Sequence, residues 1–494
     1  MKSFIATFYF LSIWAAVNAQ IDKKWIVGSP PVVINFETDT TTSSLLKDSL
    51  YTYIITSSTN ICDSSGELLY FSNGMCLFDK NGDTIENAFG FHPPELSSFY
   101  GVANNTCQAI ISLPKGDNKY YYIYFSMSDA AYLNNQSFDL MYYGVVDMGM
   151  NNGLGKSILN KAPLPTIPLQ YLAPYGLTAC KHANGRDWWV VRPGFKKNAY
   201  LTYLVTPDTI TAPYYQEVEP GVFGGNQPAG QTVFSQQGDK YAHINYTGGI
   251  KLLDFDRCTG LFSNNITLTL PFDSTNGLGV GGNGASFSPS GRYLYANTFN
   301  KVYQFDLLSN DIQSSIMEVG SIDSSNFAWL MLEQIGPDGK IYICGFHGGI
   351  NALNVIKHPE QEGTACSFEQ ISFTLNGTLS GNSLPNMPNY HLGALQGSEC
   401  DTIINSLSYL TGERIDYQVY PNPTTGKIIF LYTNTFPPTA YITVHNLLGV
   451  PVFQTKIDNS DPTIDLSFLP AGNYFIEIRV KGKTPYTLKV VKVE

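Results

Sequence analysis

The densest run of chemically capable side chains in this sequence is Lys181-His182-Ala183-Asn184-Gly185-Arg186-Asp187-Trp188-Trp189. Indole faces can stack on a sugar or aromatic ligand, and His182, Arg186 and Asp187 could hydrogen-bond around it. A ligand-binding reading therefore rests on His182, Arg186, Asp187, Trp188 and Trp189. A structural reading competes with it and carries more weight. Asn184-Gly185 is a turn signal, and Arg186 and Asp187 can tie neighbouring backbone. Consecutive strand residues point to opposite faces, so two adjacent indoles do not easily line one pocket.

Signatures of catalysis are sparse. There is no G-x-S-x-G elbow and no H-E-x-x-H pair, and no catalytic residue is assigned. The seven histidines, His92, His182, His243, His347, His358, His391 and His445, are scattered. Asp187, Asp254, Asp256 and Glu333 could pair across a channel as acid and base on a polysaccharide. Asp254 and Asp256, two apart, share one strand face, although an Asp at a strand end more often caps a turn. Gly279-Val280-Gly281-Gly282-Asn283-Gly284 matches a dinucleotide fingerprint but lacks the strand before it and the helix after it. Asp79-Lys80-Asn81-Gly82-Asp83 resembles the start of a calcium loop, yet Gly90 stands where the bidentate Glu belongs. No C-x-x-C pair or zinc spacing occurs, so neither a metal nor a cofactor is expected. Five N-x-S/T triplets, at Asn104 being Asn-Asn-Thr and at Asn135, Asn245, Asn265 and Asn376, carry no weight by themselves.

The elements that would position these residues read as β-structure. A turn closing on glycine, followed by an aromatic-rich alternating strand, recurs at Asp63-Ser64-Ser65-Gly66, Asp79-Lys80-Asn81-Gly82, Pro114-Lys115-Gly116-Asp117, Ser235-Gln236-Gln237-Gly238, Ser288-Pro289-Ser290-Gly291 and Gly336-Pro337-Asp338-Gly339. Glycine supplies the positive φ such turns need, and the alternation after it sends one face into a core. A second strand ending in Asp often follows, as at Leu77-Phe78-Asp79 and Val302-Tyr303-Gln304-Phe305-Asp306. Hairpin units at roughly 40–60 residues each are what a β-propeller requires, because one blade cannot bury both its faces. The expectation is an all-β chain with a six- or seven-bladed propeller, seven favoured. Pro31–Phe36 is expected to pair with the last blade and close the ring. An array of β-sandwiches is the alternative.

Both ends and the composition point to export. Lys2 followed by the apolar run Phe4–Val17 and the short residues Val17-Asn18-Ala19 reads as a signal peptide over residues 1–19, too short to cross about 30 Å of hydrocarbon. No later apolar run is long enough to span, so no transmembrane segment is expected in the mature chain. A net charge of −11 disfavours nucleic acid as a partner. The eight cysteines, even in number, suggest disulfides in an oxidising compartment. Proximity suggests Cys62 with Cys76, which flank a hairpin, and Cys366 with Cys400, which bracket the end of the body.

The last stretch carries Tyr420-Pro421-Asn422-Pro423-Thr424-Thr425-Gly426, then Val444-His445-Asn446-Leu447-Leu448-Gly449, then Leu469-Pro470-Ala471-Gly472-Asn473-Tyr474. It resembles the C-terminal sorting domain, type A, of proteins exported by the type IX secretion system of Bacteroidota. The residues that carry the match are Pro421, Asn422, Pro423, Gly426, Gly449, Leu469, Pro470, Gly472 and Tyr474. The resemblance implies a small immunoglobulin-like sandwich, recognition by the secretion machinery, removal by a sorting protease and attachment to surface lipopolysaccharide. The body, through Phe287-Ser288-Pro289-Ser290-Gly291-Arg292-Tyr293-Leu294-Tyr295, looks like WD40-like propeller repeats. Through Lys181–Trp189, Asp254–Gly260, Gln334–Tyr342 and Leu384–Tyr390 it resembles a group of secreted Bacteroidota propellers. The expected layout is a signal peptide 1–19, a propeller 20–408, a linker 409–416 and a sorting domain 417–494. The favoured role is a non-enzymatic binding or adhesion module at the cell surface with a glycan or surface-protein ligand. A polysaccharide hydrolase or lyase, and a scaffold subunit of an adhesion or gliding complex, are the alternatives.

Overall fold

A computed structural model describes residues 20–400 apart from 38–39, 48–51, 95–102, 105, 129–137, 166–171, 195–198, 219–229, 247–248, 272–282, 324–328, 347–350, 379–382 and 399. It also describes residues 417–493 apart from 433–439, 448–449, 458–461 and 481–485. Contacts divide the chain into two compact units, Met1–Ile403 and Ile404–Glu494. The expected signal peptide and linker lie outside the described residues.

In the first unit the described residues form seven antiparallel sheets in chain order. The first is β1 (Lys24–Val27), β2 (Val32–Phe36) and β3 (Thr41–Leu45). The second is β4 (Thr59–Cys62), β5 (Leu68–Ser72) and β6 (Leu77–Asp79). The third is β7 (Ile110–Gly116), β8 (Lys119–Ser126), β9 (Leu140–Asp147) and β10 (Lys156–Leu164). The fourth is β11 (Thr178–Lys181), β12 (Trp188–Pro193), β13 (Ala199–Val205) and β14 (Tyr214–Glu217). The fifth is β15 (Gly230–Phe234), β16 (Lys240–Asn245), β17 (Gly249–Asp256) and β18 (Leu261–Thr269). The sixth is β19 (Ala285–Phe287), β20 (Tyr293–Asn297), β21 (Lys301–Asp306) and β22 (Met317–Ser321). The seventh is β23 (Trp329–Ile335), β24 (Ile341–Phe346), β25 (Ala352–Ile356) and β26 (Phe368–Thr374).

The first strands of successive sheets pack on one another, β1 on β4, β4 on β7, β11 on β15, β15 on β19 and β19 on β23. The Leu177 N–H donates to Gln108 O (3.2 Å) between the third and fourth sheets. Trp25 meets Tyr342 edge to face (5.6 Å) between the seventh and the first. The body is a seven-bladed propeller. Burial explains the strand sequences. The second strand of a blade is covered by both neighbouring blades, so β8, Lys-Tyr-Tyr-Tyr-Ile-Tyr-Phe-Ser, is buried from Tyr120 on, whereas the outer strand β18 is mostly exposed. The turn glycines sit where the sequence places them. Gly185, Gly238, Gly291 and Gly339 have φ of +72° to +78°, and each donates its N–H three residues back.

Ring closure differs from expectation. Val32–Phe36 pairs with β1 and β3 of its own sheet, not with the last blade. The ring closes through side chains: Trp25 and Phe36 against Tyr342, Thr41 Oγ1 donating to Asp338 (3.1 Å), and Ser43 Oγ donating to Thr374 O (2.8 Å). The chain after β26 then returns through the centre. Ser383 Oγ accepts from Gly28 N, the Asn386 N–H donates to Ser58 O, and Tyr390 OH donates to Ser112 O. One segment thereby clasps several blades at once.

The second unit pairs a three-stranded sheet, β27 (Tyr417–Tyr420), β28 (Lys427–Tyr432) and β31 (Thr463–Asp465), with a four-stranded one. The latter is β30 (Pro451–Ile457), β29 (Ala440–His445), β32 (Gly472–Arg479) and β33 (Tyr486–Lys492). Ile428, Phe430, Ile442, Val444, Ile464 and Ile476 fill the space between the sheets. This is a sandwich of the immunoglobulin-like kind.

Candidate functional site

The inner strands of a propeller present an unpaired backbone edge to the channel, and buried N–H and C=O groups there need partners. Side-chain amides supply them. Gln108 donates to Thr232 O and accepts from Thr232 N, both at 2.9 Å. Gln231 donates to Glu333 O (2.6 Å) and accepts from Glu333 N (3.0 Å) and Ala285 N (3.1 Å). Asn386, carried in by the central segment, donates to Ile110 O (2.9 Å) and Leu177 O (2.7 Å). The channel is thus largely filled by its own hydrogen-bonded amides.

What remains is a cavity of about 320 Å³. It lies where β11, β15, β19 and β23 end, beside Asp22 and Trp25 at the start of β1. Gln108, Thr232, Ser286, Glu333 and Asn386 contribute polar lining, and Trp25, Phe234, Phe287 and Met387 contribute apolar walls. The nearer charged groups are Lys181, Asp22 and His391. His391 Nε2 and Asp22 Oδ1 are 2.8 Å apart, and this contact raises the imidazole pKa. Lys181 Nζ donates to Gly185 O (3.1 Å), and burial lowers its pKa.

Glu333 is fully buried. One carboxyl oxygen accepts from Asn297 Nδ2 (2.9 Å); the other has no protein partner among the described residues. Burial pushes its pKa up to about 8, the Asn297 bond opposing that rise, so at neutral pH it is mainly the uncharged acid and can donate. Gly284 abuts it: a Cβ there would fall 2.9 Å from Glu333 Cγ. The last glycine of the Gly279–Gly284 run therefore makes room for a buried carboxyl; residues 279–282 lie outside the described residues. Trp25 also lines the cavity, 1% exposed, and its Nε1 likewise lacks a protein partner among the described residues.

The His182–Trp189 run does not form a stacking platform. Trp188 and Trp189 are both 2% exposed and belong to different cores. Trp188 meets Tyr390 of the central segment edge to face. Trp189 points the other way, lies 5.2 Å from the His182 ring and donates from Nε1 to Arg257 O (2.7 Å). Arg186 and Asp187 form an ion pair within the turn (2.7 Å), and Asn184 Oδ1 accepts from the Arg186 and Asp187 N–H groups. Asp254 pairs with Lys240 and Asn264, and Asp256 Oδ1 accepts from Cys258 N. Of the four carboxylates proposed for channel chemistry, Glu333 alone lines the cavity. Asp79 Oδ1 accepts from the N–H groups of Asn81 (2.7 Å) and Asp83 (3.1 Å), which makes the calcium-like run a hairpin turn.

Neither expected cysteine pairing is present. The disulfide joins Cys258 and Cys400, and Cys62, Cys76 and Cys366 carry free thiols. The reason for the first is strand order: β5 lies between β4, which holds Cys62, and β6, which Cys76 precedes. Two strand spacings come to about 10 Å, beyond disulfide reach. Cys366 is buried in the core between the sixth and seventh blades, while Cys400 is tied to the fifth blade just after the central segment. Among the described residues no three His, Cys, Asp or Glu side chains gather as a metal site, and no helix is long and apolar enough to cross a membrane.

Sequence reasoning named Glu333 as one of four carboxylates, but missed Trp25, Gln108 and Asn386. An available signal was a lone acid inside the apolar strand Trp329-Leu330-Met331-Leu332-Glu333-Gln334-Ile335, which must be buried on one face. A second was the Leu384–Tyr390 run, noted only as a family feature.

In the second unit the motif residues hold the sandwich together. Asn422 donates to Lys489 O (2.8 Å) and accepts from Val491 N (2.9 Å). The Gly426 N–H donates to Thr424 Oγ1 (3.0 Å), and Gly426 packs on Ser467. Tyr474 OH donates to Pro470 O (2.9 Å) over buried Leu469. Pro421 and Pro423 follow cis peptide bonds, and Gly472 opens β32. Gly449 lies outside the described residues.

Residues 418–493 match a family model described as a secretion system C-terminal sorting domain. This tail indicates export, by the type IX secretion machinery, to the cell surface or the exterior. No curated protein matches the chain. Among solved structures, a putative 6-phosphogluconolactonase from Bacteroides uniformis ATCC 8492 is 16% identical, with 72% of this chain and 98% of that one covered and a TM-score of 0.44. The β-propeller domain of Cps50 (Swd1) from Myceliophteria thermophila is 13% identical, with 66% and 91% covered and a TM-score of 0.38. Apo AztD from Citrobacter koseri is 12% identical, with 72% and 96% covered and a TM-score of 0.36. Likeness at this level carries no functional implication.

Proposed function

We propose that the chain is a secreted binding module of a Bacteroidota cell surface: its tail is cut off after export and the propeller is displayed by attachment to lipopolysaccharide. The ligand is taken at the channel mouth, not at the Trp188–Trp189 turn. One observation carries this reading. The channel amides are hydrogen-bonded to backbone, yet a cavity of about 320 Å³ stays open beside them, walled by Phe234, Phe287 and Met387 with Asp22, Lys181 and His391 among its lining.

Binding is favoured over polysaccharide hydrolysis by the carboxyl inventory. Glycoside hydrolysis needs two carboxyl groups facing one bond. Here Asp187, Asp254 and Asp256 are committed to turns and ion pairs, and Asp22 at the rim is paired with His391.

The test has two arms. In the native cells, removing residues 417–494 is expected to abolish surface display while the body accumulates inside the envelope. The purified chain is expected to gain thermal stability from members of a soluble-fragment library. Undiminished surface display without the tail, or no stabilising ligand, sinks the corresponding arm.

A further inference from the structure

The segment that returns through the channel is held in two different ways. Its inner half is held by burial and hydrogen bonds. Ser383, Leu384, Asn386, Met387 and Tyr390 are buried, and Asn386 alone exchanges bonds with Ser58, Thr59, Ile110 and Leu177. Its outer half, residues 391–398, lies over the turns of the fourth and fifth blades and is mostly exposed; Leu395 shows 44% of its surface. The Leu395 N–H donates to Ala183 O (2.8 Å), and Arg257 donates to Gly393 O. A stretch with so little apolar burial gains little from the hydrophobic effect and opens readily by itself. A covalent bond fixes its far end: the disulfide ties Cys400 to Cys258, in the turn after β17.

Beneath this strap lies a free thiol. Cys180 is 3% exposed. Leu392 and Arg257 close over it at Gly238, where an added Cβ would fall 2.6 Å from Cys180 Sγ, 2.9 Å from Leu392 Cδ2 and 3.0 Å from Arg257 Cδ. His391 and Leu392 also line the cavity mouth. The strap therefore covers Cys180 and forms part of the mouth's wall.

We propose that residues 391–398 are a redox-gated strap. The Cys258–Cys400 disulfide holds it closed over Cys180 and the cavity mouth, and reduction releases it while the inner half of the segment stays seated. Closing joins the two Sγ atoms and gives up two protons and two electrons; the electrons pass to a disulfide-bearing thiol oxidant, which is reduced to a dithiol. A dithiol reductant reverses the step by thiol–disulfide exchange. Thiols stay reduced in the cytosol and oxidise outside it, so the strap closes only after export.

The experiment is labelling of the mature full chain with N-ethylmaleimide, mapped by peptide mass spectrometry, in the parent and in the Cys258→Ser/Cys400→Ser double variant. The double variant removes the latch and adds no thiol. Cys180 is expected to react at least about tenfold faster in it than in the parent, because thiol reactivity follows access and the strap no longer limits it. Cys107 and Cys344, buried in a different core, are expected to keep the parent's rate. Hydrogen exchange gives a second reading: the Leu395 amide is expected to exchange faster, and the Asn386 amide, bonded to Ser58 O, is expected not to. If the double variant does not fold, brief reduction of the folded parent with dithiothreitol, then desalting and labelling, supplies the same comparison. Unchanged labelling of Cys180 would overturn the proposal, since the strap would then be held without the disulfide. Equal acceleration of Cys180, Cys107 and Cys344 would overturn it too, since the disulfide would then be a staple of the whole body.

Discussion

Two tryptophan-bearing regions of the propeller meet opposite fates. At the Lys181–Trp189 turn, each polar group singled out for binding has a protein partner: Arg186 with Asp187, Asp187 with Asn184, His182 with Cys258 O, Trp189 with Arg257 O. At the channel mouth, Trp25 and Glu333 are equally buried but hold one unpaired atom each among the described residues. Density of interesting residue types therefore marked a structural joint. The cavity is marked instead by open volume between blade ends, which no local run of sequence displays. A blade turn must satisfy its own polar groups to be stable.

The contrast would break most visibly at Trp189. The indole fills the core between the fourth and fifth blades, with Gly260 in van der Waals range and Arg257 O as hydrogen-bond acceptor. Trp189→Ala is expected to cost about 3–5 kcal/mol, the usual loss for a large buried aromatic. Equilibrium urea unfolding measures it, and the remaining folded protein should keep its ligand affinity. A loss of affinity with little loss of stability would return the site to the turn.

Glu333 sharpens the comparison through pH. Its folded pKa is about 8 against an ordinary 4.5, and burial is the main cause. Between those values the unfolded chain has released the proton and the folded chain retains it. The folded state then binds more protons, so this group's contribution to stability is full below about pH 4.5, falls as pH rises, and is gone above about pH 8. Glu333→Gln removes the titration while keeping an acceptor for Asn297. Its stability relative to the parent is expected to rise by about 2–4 kcal/mol from pH 5 to pH 9. Melting both proteins across that range measures it. A difference that stays flat with pH would mean the carboxyl is solvated.

Much of the architecture was legible because it follows from period and turn chemistry. The glycine turns at Gly185, Gly238, Gly291 and Gly339 and the strands after them recur at a readable spacing, so the propeller and its seven blades could be inferred. The tail was legible for a different reason: Asn422, Gly426 and Tyr474 each perform a backbone-holding task at a fixed place, and those residue types are hard to replace. Ring closure was not legible. Val32–Phe36 has the pattern of any strand, and its pairing depends on which edge is free, a three-dimensional fact. The disulfide failed likewise, since Cys258 and Cys400 are 142 residues apart in sequence. The site was half visible. Glu333 stood out as an acid among apolar neighbours, but Trp25, more than three hundred residues earlier, joins it only because the ring closes.

The smallest expected effect is also the most direct check on the turn. Arg186 is about half exposed and its bond is to the adjacent Asp187. Ion pairs with a solvated partner contribute little, because water screens the attraction and the long side chain loses freedom when held. Arg186→Ala is therefore expected to change stability by less than about 0.5 kcal/mol and to leave ligand binding unchanged, since Asn184 still fixes the turn through the Arg186 and Asp187 N–H groups. Calorimetric titration against the ligand that stabilises the parent measures this. If Arg186→Ala abolished binding while the protein stayed folded, the exposed guanidinium would be a ligand contact, and the cluster most conspicuous in the sequence would be the site after all.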